Sequence, residues 1–383
     1  MSYRLISWGA NSHGQLGQGI HSEECLLPQE VDLSRCSLEP RRIRKIVGGA
    51  GHSLILDDYG NVYSCGWNNK GQAGFSTQQD VLSFRKLGNK LEGKVVVDIA
   101  CGWDCSAALT IEGTLFLWGS NCFGQLGEHL SNLRWTHEPF ELLIDRKVKG
   151  ISFGLRHTAL ITEDHKVLVA GAGNRGQLGL SRSRNEPLLN AAYTFTEVPT
   201  LTNVHSVNCG QRHTIVVEEN GDLYGFGDNK HGQLGLNTDI LSNTSFPIKL
   251  LDVPFKSPAE IQCGWSHTVA LSDGQIFSWG RNTYGQLGVK EFEGSSTWKV
   301  MWRENESKIR QISVGSEHNV ALTENDRIVC WGWNEHGNCG NGHTRDVKFP
   351  GELSLPFDYA GICIGSGAGH SFAVGRQRPV SID

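Results

Sequence analysis

Helix is the first thing this 383-residue chain lacks. No stretch repeats apolar residues at three- and four-residue spacing for long enough to make an amphipathic helix. Long apolar runs are missing as well. None approaches the ~20 residues of a membrane span, and the N-terminus carries no leader pattern. The expectation is a cytoplasmic protein, with the nucleus as a second compartment and no membrane insertion. Basic charge is not in excess: 35 Lys and Arg stand against 40 Asp and Glu, a formal net charge of −5. No global field favours nucleic acid, and no DNA binding is expected. The one basic cluster, Arg41-Arg42-Ile43-Arg44-Lys45, reads as a solvated edge ahead of a strand.

Catalytic signatures are also missing. There is no His-Glu-x-x-His, no Gly-x-Ser-x-Gly and no Gly-x-x-x-x-Gly-Lys-Ser/Thr. The 11 cysteines include no Cys-x-x-Cys pair. Cys101, Cys209 and Cys263 recur at one position of a repeat, and read as small buried residues in a reducing compartment. Neither a metal nor a cofactor is expected. Gly171-Ala-Gly-Asn-Arg-Gly176 matches the dinucleotide fingerprint, but that motif needs a helix after it and none follows.

What is plentiful is glycine, 47 residues, and it is periodic. The pattern Trp-Gly-x-Asn-x-x-Gly-Gln-Leu-Gly runs clearly from Trp8, Trp118 and Trp279, and more loosely from Cys65, Ala170, Phe226 and Trp331. Its first Gly falls at 9, 66, 119, 171, 227, 280 and 332, which are intervals of 52 to 57 residues. A second pattern, Gly-x-x-His before a short apolar run, ends at His52, His157, His213, His267, His318 and His370, with Cys105 in the seventh place. Between the two lies a hairpin signature, clearest from Ile261 to Gly280 around Asp273-Gly274. Units of this size that build about four strands close into propellers. The fold expected is all-β: one seven-bladed β-propeller over residues 1–383. The chain opens inside a repeat at Trp8-Gly9 and ends inside one at His370, so the N-terminal strand should complete the last blade.

These paired motifs resemble the repeats of the regulator of chromosome condensation family, across all seven units. The resemblance implies the same propeller and the same closure. Ala100-Cys-Gly-Trp-Asp-Cys, Gly154-Leu-Arg-His, Gly315-Ser-Glu-His-Asn and Trp331-Gly-Trp-Asn-Glu-His-Gly-Asn-Cys-Gly are less generic. They resemble a cytosolic branch of the family connected to exocytosis and regarded as guanine nucleotide exchange factors. The implied partners are a small GTPase and the exocytosis machinery. The family also hosts non-catalytic scaffolds for trafficking or ubiquitin-pathway proteins, and fold alone does not choose. The founder's basic N-terminal tail has no counterpart ahead of Tyr3, so chromatin binding is not expected.

Exchange in the founding member depends on acidic and His residues of the Gly-x-x-His loops. Carried over position by position, that implies Asp104, Glu317, His157 and His267 as the exchange residues, with Arg156 standing where the founder has an acid. The bland reading of the repeated His is structural: it satisfies a neighbouring blade's backbone. Trp8, Trp118, Trp279 and Trp331 sit at the consensus position and read as core between blades. Trp103 and Trp265 lie inside Gly-x-x-His loops, and Trp67 and Trp333 in the turns after Trp-Gly; with Arg156 these are candidate partner anchors. Trp103 and Trp265 belong to the second and fifth repeats, so no clustering of the two is expected. Irregular stretches at Ser181–Val198, Lys290–Ser307 and Gly127–Glu141 are further candidates for partner choice. The aromatics of the second, Phe292, Trp298 and Trp302, are its candidate anchors.

Overall fold

The computed structural model describes residues 2–127, 134–255, 259–289, 299–300, 307–356 and 358–378. The notable residues of the Lys290–Ser307 stretch, Phe292, Trp298, Met301 and Trp302, fall outside these. Seven four-stranded antiparallel sheets account for the strands. Among the described residues the only helical segments are the short 3-10 turns Pro40–Arg42 and Asn89–Leu91.

Blade 1 is Ile43–Gly48, His52–Asp57, Val62–Gly66 and Val81–Lys86. Blades 2 to 6 follow the same plan. Blade 7 is made from both ends of the chain: Tyr359–Ser366 and His370–Gln377 are joined by Tyr3–Ala10 and Glu24–Glu30. Tyr3 pairs with Arg376 and Gly9 with His370, so the expected closing strand is in place. A second N-terminal strand, Glu24–Glu30, extends it outward.

Local chemistry accounts for each unit. In blade 5, Ser272 pairs with Gln275 across Asp273 and Gly274, whose φ angles are 51° and 80°. Positive φ at both central residues gives the twist a two-residue hairpin requires, and Asp-Gly supplies it. The Trp-Gly-x-Asn-x-x-Gly-Gln-Leu-Gly loop caps itself. The Asn11 carboxamide oxygen accepts the Leu16 N–H at 3.1 Å and the Gln15 carboxamide oxygen accepts the His13 N–H at 2.9 Å. The same two bonds recur at Asn121 with Gln125 and at Asn229 with Gln233. The consensus Asn and Gln are therefore backbone-satisfying groups. Gly9, at φ 101°, is required twice over, because a Cβ there would stand 2.6 Å from the Gly369 carbonyl oxygen.

The core lies between blades. Seven apolar clusters each bridge two neighbouring blades, for example Ile6 and Trp8 with Val320 and Leu322. Trp8, Trp118, Trp279 and Trp331 are fully buried there, as expected. Each indole N–H donates to a main-chain carbonyl of the preceding loop, Trp118 to Gln72 at 3.0 Å and Trp8 to Asn338 at 2.8 Å. This removes the cost of burying a polar edge. The first strand of every blade faces a central channel of about 700 Å³. One mouth of that channel is ringed by the Gly-x-x-His loops.

Candidate functional site

The Gly-x-x-His loops are built on a relay of buried bonds from blade to blade. His52 Nε2 lies 2.8 Å from Ser106 Oγ of the next blade, and Ser106 donates onward to the Gln72 carbonyl at 2.8 Å. His157 meets Thr214, His213 meets Thr268, His267 meets Asn319, His318 meets Ser371 and His370 meets Ser53. The five partner hydroxyls each spend their proton on a carbonyl, and the Asn319 atom facing His267 is a carboxamide oxygen, so each imidazole must donate from Nε2. The neighbour is thus a side chain one place after its own His (or Cys105), where a backbone group was expected. Burial pushes the imidazoles far below their ordinary value, His157 to about 3 and His267 to about 4. They stay neutral at any physiological pH.

The Gly of Gly-x-x-His has a matching cause. A Cβ on Gly154 would lie 2.1 Å from His157 Cε1, and on Gly264 the same distance from His267 Cε1. The ring lies flat on the glycine. His157 and His267, placed by the sequence among the exchange residues, are therefore inside the blade interfaces at 1% and 0% exposure. Neither offers an edge to a partner docked on the rim.

The residue just before the His does reach the rim, and it points back to the previous unit's Trp-Gly loop. Asp104 is only 7% exposed and its carboxylate meets Lys70 Nζ at 2.7 Å. Glu317 is 4% exposed. Gln286 Nε2 donates a short bond to it, Arg281 stands 3.5 Å away, and His267 Nδ1 lies 3.8 Å off. Burial raises the Glu317 carboxyl to about 7, against the opposing pull of Arg281 and Gln286. At that position in blade 3 the guanidinium of Arg156 stacks 4.1 Å over the Phe123 ring. In blade 4 the position is Arg212, which the sequence reading passed over. Lys70 and Arg281 were also missed. Each lies in the Trp-Gly loop of its unit, Lys70 four places after Gly66 and Arg281 one place after Gly280, so no single repeat position marks both.

Trp103 and Trp265, expected apart, meet. Their rings are 5.3 Å centre to centre and tilted by 39°, over the channel mouth. Repeats two and five are distant in sequence but face each other across a narrow ring. Trp67 stacks on His13 at 4.5 Å, with His13 Nδ1 3.0 Å from an Asp80 oxygen. Trp333 packs against Tyr284 at 6.5 Å and donates to Glu335 at 3.2 Å. All four candidate Trp residues are half-buried. Three members of the basic cluster are paired: Arg41 with Glu39, Arg42 with Asp58, and Lys45 with Asp98 of the next blade. Gly171 to Gly176 forms the self-capped repeat loop, with no helix after it. All 11 cysteines are free, and no group of metal-holding side chains occurs among the described residues. None of the described helical segments is long and apolar enough to cross a membrane.

A model of the RCC1-like domain matches residues 4–373. The chain belongs to the RCC1-like family. Within that family it is 35% identical to the secretion-regulating guanine nucleotide exchange factor of Mus musculus, over 97% of this chain and 83% of that one. It is 34% identical to the ultraviolet-B receptor UVR8 of Arabidopsis thaliana, over 90% of this chain and 76% of the receptor. Among solved structures, Prp20p of Saccharomyces cerevisiae superposes with a TM-score of 0.83 at 23% identity, covering 99% and 93% of the two chains. That structure was reported with its binding to Gsp1p and histones. At this identity the likeness to Prp20p establishes the RCC1-like fold alone.

Proposed function

We propose that this RCC1-like propeller is a guanine nucleotide exchange factor of a secretory pathway, acting in the cytoplasm on a small GTPase and meeting the exocytosis machinery there. The observation that carries the reading is the near full-length, 35% identity to a secretion-regulating exchange factor. The Gly-x-x-His face is the working surface. An exchange factor must hold the nucleotide-free GTPase better than the loaded one. The loaded form keeps its phosphates on a lysine and Mg²⁺. Asp104 trades its Lys70 partner for that lysine as the phosphates leave, and Glu317 adds charge when ionised. The Trp103–Trp265 pair at the centre, with Trp67, Trp333 and Arg156 on the rim, provides a rigid, preorganised contact. His157 and His267 act from behind, by fixing the loops.

A second reading has its own support. Both acids are already paired with cations, which favours a scaffold that binds trafficking or ubiquitin-pathway proteins without opening a GTPase. Release of a fluorescent guanine nucleotide from a panel of purified small GTPases, Ran included, separates the two. Acceleration for one member supports exchange. No acceleration for any, with a stable protein complex formed on this face, supports the scaffold.

A further inference from the structure

Four residues just before the His position are charged, and they are not treated alike. Asp104 and Glu317 each have a cation within 4 Å. Arg156 and Arg212 have no carboxylate at ion-pair distance among the described residues. A chain of net charge −5 has thus neutralised the acids of this face and left two arginines open.

Those two arginines line one cavity. It has a volume of about 270 Å³ and is walled by Phe123, Arg156, Asn174, Tyr193, Gln211 and Arg212, among others. None of its lining residues is Asp or Glu. Phe123 under the Arg156 guanidinium holds that group flat, which leaves its N–H edges for a ligand. The Asn174 carboxamide oxygen accepts from Gln177 at 3.4 Å, so its nitrogen remains as a further donor. Guanidinium forks match the two oxygens of a carboxylate or the three of a phosphate. The size is at the small end for ligand sites, which run to roughly 300–1,000 Å³. One protruding side chain fits.

We infer that this cavity, between the loops of blades 2, 3 and 4, is a receptor for an oxyanion-bearing side chain of a partner polypeptide, a carboxylate or a phosphorylated residue. The site goes beyond the exchange reading and stands or falls independently of it. Its occupant anchors a peptide segment on the arginine side of the face, away from Glu317.

The test uses the full chain and fluorescent degenerate peptides whose central residue is fixed. The arms are Asp, Glu, phosphoserine and phosphotyrosine, each against Asn, Gln, Ser or Tyr. At least one anionic arm should bind tenfold or more tightly than its neutral counterpart, and weaken as salt is raised. Which arm wins tells carboxylate from phosphate. Arg156→Gln with Arg212→Gln should remove the preference, and Arg212→Gln alone should reduce it severalfold if the double variant does not fold. Arg212→Lys should recover it only in part, because an ammonium lacks the fork. Equal binding of anionic and neutral arms, or an anionic preference unchanged in Arg212→Gln, overturns the assignment. Nucleotide release plays no part in the readout, so failure here leaves the exchange reading untouched.

Discussion

His370 Nε2 lies 2.8 Å from Ser53 Oγ, which joins the last blade to the first by the same bond that joins five other neighbouring pairs. Ser53 passes its own proton to the Gln15 carbonyl at 2.8 Å, so the bond also ties in the N-terminal loop. Closure is thus both a strand pairing and a buried polar relay. Ser53→Ala should leave the buried His370 N–H and the Gln15 carbonyl without this partner. The expected loss is about 1–3 kcal/mol. Urea unfolding checks it. A midpoint equal to that of the unchanged chain would show that the relay adds nothing at the closing seam.

The one interface without a His has its own compensation. Cys105 is buried, and Phe153 of the next blade presses on the space that a His ring fills elsewhere: a Cβ on Gly102 would meet Cys105 Sγ at 2.6 Å and Phe153 Cβ at 3.0 Å. Cys105→His alone should therefore overpack and destabilise by about 1–3 kcal/mol. Cys105→His with Phe153→Cys should recover most of that loss. Thr158, which already donates to the Gln125 carbonyl, becomes the acceptor for the new imidazole. Thermal melts of the two variants decide it. A double variant no better than the single would refute this volume exchange.

Much of this was legible in the sequence, and for a physical reason. Glycine at 154 answers to the His ring three residues on, and glycine at 9 to the paired strand at Gly369 and His370, contacts that recur in other units, so the need prints a period. Blade number, closure and the buried Trp8 set follow from that period. The rim did not follow. Whether Asp104 is free depends on Lys70, 34 positions earlier, and whether Trp103 touches Trp265 depends on the width of the ring. Neither quantity is periodic. The relay side chains Ser53, Ser106, Thr158, Thr214, Thr268, Asn319 and Ser371 were visible at one offset, but their chemistry varies enough to hide the common role.

Acid should undo the ring at the histidines. His52, His157, His213, His318 and His370 are pushed to about 3 and His267 to about 4 by burial. Their folded values lie below the unfolded one, near 6.5, so the unfolded chain binds more protons between the two. Stability is fully present above about pH 6.5 and falls as pH drops toward 3, by up to about 1.4 kcal/mol per histidine per pH unit. Glu317, raised to about 7, has the opposite sign: its contribution is present below about pH 4.5 and is lost as pH rises through 7. One carboxyl is outnumbered by six imidazoles. The melting temperature should drop steeply from pH 6.5 to 5, and His157→Gln should flatten that slope. A melting temperature level over this range would contradict the neutral, buried assignment.

The Glu317 carboxyl, raised to about 7 by burial, should make part of the face's work depend on pH. Asp104→Asn and Glu317→Gln remove charge while keeping the size and a hydrogen-bonding oxygen, so both chains should fold. If the face opens a GTPase through its acids, Asp104→Asn should lower nucleotide release at least tenfold at pH 7. Glu317→Gln should do less at pH 6.5, where the native carboxyl already holds its proton for much of the time. It should do more at pH 8, where that carboxyl is ionised beside Arg281. Release by the native chain should accordingly rise across pH 7, and the rise should vanish in Glu317→Gln. Parallel pH profiles for native and Glu317→Gln chains would remove Glu317 from the exchange face. Full activity in Asp104→Asn at every pH would remove Asp104 as well, and the work of the face would then rest on its tryptophans and arginines.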